Sequence, residues 1–250
     1  MNPNSAMIWF PAIEAAGMRV PKTTMVPYNH SACLSIFDGE ECPEFNRLAT
    51  ATEEAAEVIG YPVFIRTDLS SAKHSGPVAF RADSRERIMQ CLARTIEDNE
   101  MKFWLEQHDP QAIMVRQHLD LYHTFTAFHG MPVAREFRFF ADARTVLCAH
   151  PYWPEEALEE GCPPAGLIGV GSDRQVWRTL LHRLNEMPST YGDLGALAMQ
   201  AAAVAGEGQW SIDFAMDCDG GWWLIDMAQM ENSWHWPGCP NAVRKERSDA

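Results

Sequence analysis

This sequence has few positive charges, no regularly spaced cysteines and no long hydrophobic runs. Its 20 lysine and arginine residues are outnumbered by 34 aspartate and glutamate residues, so the formal net charge is −14 at pH 7. Because phosphate contacts supply most non-specific affinity for nucleic acids, this charge argues against nucleic acid as a partner. No run approaches the ~18 apolar residues of a membrane helix, and the first residues lack a signal-peptide pattern. We therefore expect a cytoplasmic protein without a membrane partner, and the oligomeric state stays open.

The seven cysteines are irregularly spaced. Their odd number and scatter argue against a disulfide framework. Two groups of residues could be fragments of a zinc site: His30, Cys33 and Cys42, and Cys218, His235 and Cys239. Neither group contains a CxxC pair or a second complete half, so reduced, mostly buried thiols are the favoured interpretation.

Apolar residues are abundant enough for a substantial core. The sequence is 46% hydrophobic and holds nine tryptophans, and 250 residues suffice for one large domain or two lobes that share a cleft. Periodicity and turn residues predict helices over 49–60, 83–99, 172–187 and 193–205, and strands over 62–67, 77–82, 112–119, 133–142 and 145–153, with a last hairpin over 210–226. The first thirty residues are interpreted as short elements and turns. Strands and helices are interspersed, which predicts an α+β fold.

The last hairpin carries one aspartate in each apolar strand. Asp213 and Asp226 are 13 residues apart with the turn at 219–221 roughly midway, so the two side chains are expected within about 5 Å on one face. Two unpaired carboxylates at that distance repel each other, and oxygen ligands suit magnesium. The sequence therefore suggests a magnesium site. The alternative is that the aspartates lie on a solvent-exposed face, or that one of them caps the turn.

Two further segments carry cations. In FIRTDLSSAKHSG, Arg66 ends a strand and a small-residue loop with Ser70, Ser71 and Lys73 follows, a composition that suits phosphate binding. An ordinary connecting loop is the alternative. In REFRFF, alternation places Arg135 and Arg138 on opposite faces of one strand. One arginine could then pair with an acidic neighbour while the other faces a cleft, and salt bridges on a wet sheet face are the alternative.

The order of these features resembles that of the ATP-grasp family. The resemblance rests on AGMRVPKTTMV (16–26), GYPVFIRTDLSSAKHSG (60–76), IMVRQHLDL (113–121), REFRFF (135–140) and the hairpin WSIDF with WWLIDMA, and it covers about residues 16–240. It implies two α+β lobes that grip ATP, with ATP and Mg²⁺ as cofactors. We expect an N-terminal lobe over 1–110, a C-terminal lobe over 111–240 and a tail over 241–250.

The resemblance also implies an activity and roles for single residues. The expected reaction is an ATP-dependent ligation of a carboxylate with an amine or a thiol through an acyl phosphate, on small-molecule or peptide substrates. Arg138 and Lys73 would be catalytic, and Asp213 and Asp226 would hold magnesium. ATP would be bound by Arg66, Ser70, Ser71, Lys73, Arg116, Gln117 and Arg138, of which Arg116 and Gln117 lie near the nucleotide hinge. Trp234, His235 and Trp236 would line the acceptor site or simply pack as aromatic residues.

Two departures from the family pattern leave other functions open. Arg66 stands where a lysine is usual, and the usual glutamate-x-asparagine of the last strand reads Asp226-Met227-Ala228. Gln229, Glu231 or Asn232 could replace the missing asparagine. The alternatives are therefore a phosphotransferase or nucleic-acid-directed ligase on the same fold, or a non-catalytic nucleotide-binding module.

Overall fold

The computed structural model describes residues 2–70, 80–106, 109–128, 130–161 and 174–242, with the backbone alone for 101–106, 160–161 and 174–175. The α-helices are α1 Ala6–Ala15, α2 His30–Cys33, α3 Pro43–Ile59, α4 Ile88–Glu106, α5 Glu155–Gly161, α6 Arg174–Leu184 and α7 Tyr191–Ala205. The strands are β1 Thr23–Pro27, β2 Val63–Thr67, β3 Arg81–Ala82, β4 Ala112–Gln117, β5 His123–Ala127, β6 Met131–Ala134, β7 Glu136–Ala141, β8 Val146–Pro151, β9 Trp210–Met216 and β10 Trp222–Gln229. Across these ranges, none of the helices has the length and apolar character needed to cross a membrane.

The strands form three antiparallel sheets. The first sheet has the order β1-β4-β2-β3, the second has the order β10-β9-β7-β8, and β5 and β6 form a separate hairpin. The predicted α+β class is confirmed. The predicted lobe boundary near residue 110 stays a prediction. Strand β4, which begins at Ala112, pairs with β1 and β2 and so belongs to the first sheet.

Helices α3 and α4 cover one face of the first sheet. Helix α3 begins where the Cys42 thiol accepts a hydrogen bond from the Phe45 amide at 3.4 Å, with Pro43 in the first turn where a missing N–H costs nothing. It ends at Gly60, whose φ of 94° suits glycine. The helix starts six residues before the predicted residue 49, and its first turn already buries Phe45.

Helices α1 and α7 cover the apolar face of the second sheet. Phe137, Phe139 and Phe214 point to this face and are almost fully buried. The prediction that the first thirty residues hold only short elements was wrong for α1, a ten-residue helix whose Trp9 is buried. Proline and glycine flank this segment in the sequence, yet Pro11 is accommodated inside the helix.

The β5–β6 hairpin packs against α6 through Phe125, Val133, Trp177 and Leu181. Residues 118–122 lead from β4 of the first sheet into this hairpin. Two of them also contact the β9–β10 hairpin of the second sheet, since the Tyr122 amide donates to the Met216 carbonyl at the end of β9 and the Asp120 carbonyl accepts from the Cys218 amide in the turn. Segment 118–122 is therefore the place where all three sheets meet.

Candidate functional site

One cross-strand row of side chains runs over the polar face of the second sheet. Asp226 of β10 is the register partner of Asp213 in β9, Asp213 is the partner of Arg138 in β7, and Arg138 is the partner of His150 in β8. Register partners in antiparallel strands share a face, so these four residues form one line. We call Asp226, Asp213, Arg138 and His150 the charged row.

A β-bulge at Ile225 directs Asp226 into the charged row. Before the bulge Leu224 pairs with Phe214, and both belong to the apolar core; after it Asp226 pairs with Asp213. Strict alternation would put Leu224 and Asp226 on the same face. The extra residue shifts the phase, which sends the carboxylate to the polar face while leucine stays in the core.

Arg138 and Asp213 form a two-pronged ion pair. Nε and Nη2 of Arg138 each donate to one carboxylate oxygen of Asp213 at 2.7 Å. Their side chains are 16% and 4% exposed, so the pair is largely shielded from solvent. Burial alone would lower the pKa of Arg138, but the charge and hydrogen bonds of Asp213 outweigh it and raise the pKa above the usual range. The Arg138 guanidinium also lies 4.7 Å from the centroid of the Tyr152 ring.

Asp226 faces two arginines from the first sheet. Nη1 of Arg66 lies 3.1 Å from Oδ1 of Asp226, and Nη1 of Arg116 donates to the Ile225 carbonyl at 2.7 Å. Both arginines are buried. Within the described ranges, Nε and Nη2 of Arg116 have no hydrogen-bond partner. Burial, and then the charge of Arg66, lowers the pKa of Arg116 to about 9, so the group still carries its charge at neutral pH.

A cavity of about 240 Å³ lies between the first sheet, the β5–β6 hairpin and the β9–β10 hairpin. Its polar wall includes Arg66, Arg116, Gln117, Glu136 and Asp226. Its apolar wall includes Phe64, Phe80, Leu121, Met131, Trp153 and Ile225. Arg138 lies two residues after Glu136 and therefore on the same face of β7. The cavity thus joins an apolar slot to a cationic end next to the charged row.

The structure brings several predicted site residues to this cavity. Arg66, Arg116, Gln117 and Asp226 line it, and Asp213 and Arg138 lie next to Asp226 in the charged row. At the start of the predicted phosphate loop, the Ser70 amide donates to the Thr67 hydroxyl at 2.9 Å. Ser71 and Lys73 lie outside the described residues. The roles assigned to these residues in ATP binding, catalysis and metal binding stay predictions.

Other residues take roles that the sequence did not indicate. Asp217, rather than Asp213 or Asp226, organises the hairpin turn, since its carboxylate accepts from the Asp219 and Gly221 amides and from Trp223 Nε1. Asp68 is buried and accepts from the Ser5 hydroxyl and the Gln111 amide. Both are aspartates beside strand ends, a position at which carboxylates commonly satisfy backbone amides.

The residues considered as zinc fragments separate into two kinds. Nε2 of His30 lies 2.8 Å from Glu100, and the Cys42 thiol donates to the Ala32 carbonyl and caps α3, so these side chains serve the local fold. Cys218 is exposed. In contrast, His235 and Cys239 meet two residues of β8 that the sequence reasoning did not connect with them, Cys148 and His150.

Two of the aromatic residues after β10 pack against β7 and β8. The His235 ring stacks on Phe140 with centroids 3.6 Å apart, and Trp236 Nε1 donates to the Pro151 carbonyl at 2.7 Å. Trp234 is 49% exposed. This arrangement agrees with aromatic packing for His235 and Trp236. A part for the trio in an acceptor site stays a prediction.

The carboxylates of the charged row fit a magnesium ion in part. The Asp226 side chain is 32% exposed and lines the cavity, so its oxygens are accessible from the cavity side. Both oxygens of Asp213 already accept from Arg138 at 2.7 Å. Magnesium is commonly held by one or two carboxylates together with water and substrate phosphates, and Asp226 alone meets the lower requirement. The position of the family's asparagine is Ala228, which is paired with Ser211.

No protein-family model and no curated protein matches the chain. Among solved structures, C-terminally truncated Cdc123 from Schizosaccharomyces pombe superposes with a TM-score of 0.54 at 12% identity, over 91% of this chain and 84% of that one. A second Cdc123 structure from the same organism gives a TM-score of 0.53 at 12% identity, over 90% of this chain and 83% of that one.

Two longer proteins also match. A RimK domain ATP-grasp protein from Sphaerobacter thermophilus gives a TM-score of 0.46 at 13% identity, over 90% of this chain and 59% of that one. An N5-carboxyaminoimidazole synthase from Aspergillus clavatus, in complex with ADP and 5-aminoimidazole ribonucleotide, gives 0.49 at 13%, over 94% of this chain and 46% of that one. The chain thus spans less than two thirds of either. The likeness to the two Cdc123 structures confirms the predicted ATP-grasp fold.

Proposed function

We propose that the chain is an ATP- and magnesium-dependent ligase that joins a carboxylate to an amine or a thiol through an acyl phosphate. The observation that carries this proposal is the cationic end of the cavity. Two buried arginines, Arg66 and Arg116, face one carboxylate, Asp226, and two donor groups of Arg116 have no partner in the part of the chain that the structure describes. Such a surplus of buried donors and positive charge suits a phosphate group.

The apolar slot beside these arginines supports a nucleotide as the ligand. Phe64, Phe80, Met131 and Trp153 provide flat and flexible apolar surfaces, which suit a planar base. Residues 118–121 line the same cavity and offer backbone groups that could recognise the edge of the base. The base would lie in the slot, and the phosphates would extend toward Arg66, Arg116 and the charged row.

The proposed reaction has two steps. An oxygen of the substrate carboxylate attacks the γ-phosphorus of ATP and ADP leaves; the amine or thiol then attacks the acyl carbon, loses a proton, and inorganic phosphate leaves. Arg66 and Arg116 would bind the phosphates, and Lys73 and the hydroxyls of Ser70 and Ser71 would cover them. Arg138, held by Asp213, would stabilise charge on the group in transfer.

Asp226, with or without Asp213, would hold magnesium. When bound, the ion offsets the negative charge that gathers on the phosphates. The choice of a carboxylate and an amine or a thiol as the reacting groups rests on the family resemblance.

A non-catalytic nucleotide-binding module is the second candidate. It is favoured by Ala228, which offers no side-chain oxygen at the family's asparagine position, and by the engagement of both Asp213 oxygens with Arg138. Such a protein would bind ATP in the same cavity and would not turn it over.

The two candidates are separated by measuring ADP and phosphate release with a panel of carboxylates and amines, with and without magnesium. A ligase releases both products only when magnesium and a matching substrate pair are present. Retention of the γ-phosphate on an acceptor would instead indicate a phosphotransferase. ATP binding without release under any condition would support the binding module.

Nucleotide binding itself is tested with Arg116→Met, and with Arg94→Met as a control on the exposed side of α4. Charged hydrogen bonds contribute about 1.5–3 kcal/mol, so loss of Arg116 should raise the dissociation constant for ATP roughly 10- to 100-fold. Isothermal titration calorimetry measures this change, and thermal unfolding checks that the variant is folded. An unchanged affinity in Arg116→Met would contradict the assignment of the cavity to ATP.

A further inference from the structure

Four metal-ligating side chains meet where the segment after β10 crosses the polar face of β8. Cys148 and His150 are two residues apart on β8 and therefore point to the same side. His235 and Cys239 approach them from the segment 233–242. One ligand atom from each of the four side chains lies within 4.8 Å of every other. Among the residues that the structure describes, this is the one such cluster of histidine, cysteine and acidic groups.

The spacing of these atoms is close to that of a tetrahedral metal site. Zinc–sulfur bonds of about 2.3 Å and zinc–nitrogen bonds of about 2.0–2.1 Å place neighbouring ligand atoms about 3.3–3.8 Å apart. The Cys148 Sγ to His235 Nδ1 distance is 3.7 Å, which already falls in this range. The widest separation of 4.8 Å exceeds it by roughly 1 Å, which small side-chain rotations can close.

Independent contacts hold the two halves of this cluster together. The Asn241 side chain donates to the Leu147 carbonyl at 2.8 Å, Trp236 donates to Pro151, and the His235 ring stacks on Phe140. The approach of the segment to β8 is therefore fixed by hydrogen bonds and packing on both sides of the cluster. A site built in this way needs little rearrangement to accept an ion.

The cluster also contains a buried polar atom without a hydrogen-bond partner. Nε2 of His150 is buried and has no partner within the described ranges. Buried polar atoms without partners are uncommon in folded proteins, and a bound ion would supply the missing partner of His150. Two imidazoles and two thiols are also a ligand set that selects zinc over magnesium or calcium.

We propose that Cys148, His150, His235 and Cys239 bind one zinc ion that fastens the segment 233–242 to β8. Four protein ligands complete a tetrahedral shell and leave no position for substrate, so the ion has a structural role. Binding releases one proton from each thiol to solvent, and the resulting site with two thiolates and two neutral imidazoles carries no net charge. The site is distinct from the proposed magnesium site near Asp226, and the zinc proposal does not depend on whether the protein is a ligase.

The site has a direct connection to the charged row. His150 is the register partner of Arg138, and it is both a proposed zinc ligand and the end of that row. Fixing the His150 ring to an ion limits how far β8 and the side chains on its polar face can move. The zinc ion would therefore stiffen the edge of the sheet beside Arg138.

The test uses the full chain, purified in reductant without a metal-affinity step, stripped with chelator and titrated with Co²⁺ and then Zn²⁺. We expect tetrahedral cobalt absorption and a thiolate-to-cobalt charge-transfer band that saturate at one equivalent and disappear when zinc is added. Zinc should also raise the unfolding temperature of the stripped protein, since the ion binds only the folded site. This readout needs wild-type protein alone. Absence of the charge-transfer band would overturn the proposal.

Cys148→Ser and Cys239→Ser should lose the charge-transfer intensity and the thermal response to zinc. Cys218→Ser is the matched control, because Cys218 is exposed and outside the cluster; it should keep both. Unchanged metal binding in Cys148→Ser or Cys239→Ser would overturn the site. A Cys148–Cys239 disulfide in protein purified without reductant, with no metal uptake after reduction, would also overturn it.

Discussion

The Arg138–Asp213 pair offers the sharpest test of how the charged row is held. We consider Arg138→Met, which keeps most of the side-chain volume but removes both N–H groups that donate to the Asp213 carboxylate. The Asp213 side chain is 4% exposed, so its carboxylate would stay buried without its cation. Breaking a buried pair by removing one partner typically costs about 3–5 kcal/mol, because an uncompensated charge remains. We expect the free energy of unfolding to fall by that amount.

The loss can be measured by urea unfolding and by thermal scans. For a protein of this length, each kcal/mol shifts the unfolding temperature by about 2–4 °C, so Arg138→Met should unfold roughly 6–20 °C lower than wild type. Arg144→Met is the matched control, since Arg144 is exposed in the turn between β7 and β8. Substitutions of that kind usually change stability by less than about 0.5 kcal/mol.

A double variant separates a lost ion pair from lost packing. Arg138→Met combined with Asp213→Val removes both charges and replaces them with apolar side chains, an exchange that is often close to neutral. The double variant should therefore be more stable than Arg138→Met alone. Wild-type stability in Arg138→Met, or a double variant whose loss equals the sum of the two single losses, would refute the reasoning. In either case the two side chains would not depend on each other.

Two further predictions concern the hairpin turn and helix α7. Burial favours the neutral form of Asp217, but hydrogen bonds from Trp223 and from the turn amides outweigh it and lower the pKa of Asp217 below its usual value. The stability that the Asp217 carboxylate contributes is therefore present above the unfolded pKa of about 3.9 and is lost as the pH falls through the lower folded pKa. The difference in unfolding temperature between wild type and Asp217→Asn should therefore shrink below about pH 4. A constant difference down to pH 2 would argue against this role of Asp217. Gly192 lies in α7 with open space around a new methyl group, so Gly192→Ala should stabilise the protein by about 0.5–1 kcal/mol. Gly206 follows the helix at a φ of 110°, so Gly206→Ala should destabilise the protein. Equal effects of the two substitutions in urea unfolding would contradict this prediction.

The sequence predicts most of the scaffold because local patterns determine much of it. The predicted strand over 133–142 corresponds to the end of β6 and to β7, and the apolar runs beside the turn residues located β9 and β10. Helix α1 was missed because its stability comes from burial against α7 and the second sheet, which are distant in the chain. No local pattern reports such a contact.

The candidate site was predictable as a set of residue types but not as a set of contacts. The hairpin rule correctly placed Asp213 opposite Asp226, although the bulge at Ile225 that makes this possible gave no signal in the sequence. The sequence also could not show that each carboxylate is matched with an arginine, Asp213 with Arg138 and Asp226 with Arg66. Pairing depends on the register between strands that are far apart in the chain.

The four residues of the proposed zinc site also come together only through contacts between segments that are distant in the chain. Cys218, His235 and Cys239 were considered together as a possible zinc fragment, and reduced thiols were the favoured interpretation. Cys148 and His150 are also two residues apart, a spacing typical of a strand rather than of a loop that binds a metal. Only the crossing of segment 233–242 over β8 joins the halves.

The packing of α1 has a consequence for how the chain is made. This helix is synthesised well before α7, β9 and β10, yet its apolar side chains pack on α7 and on the strands of the second sheet. Contacts between such distant segments form slowly, because a large loop must close before they contribute. While the ribosome is still at work, Trp9 and Phe10 therefore have no core to enter. The growing chain carries an exposed apolar segment until β9 and β10 have emerged, and during that interval it is a target for chaperones and for aggregation.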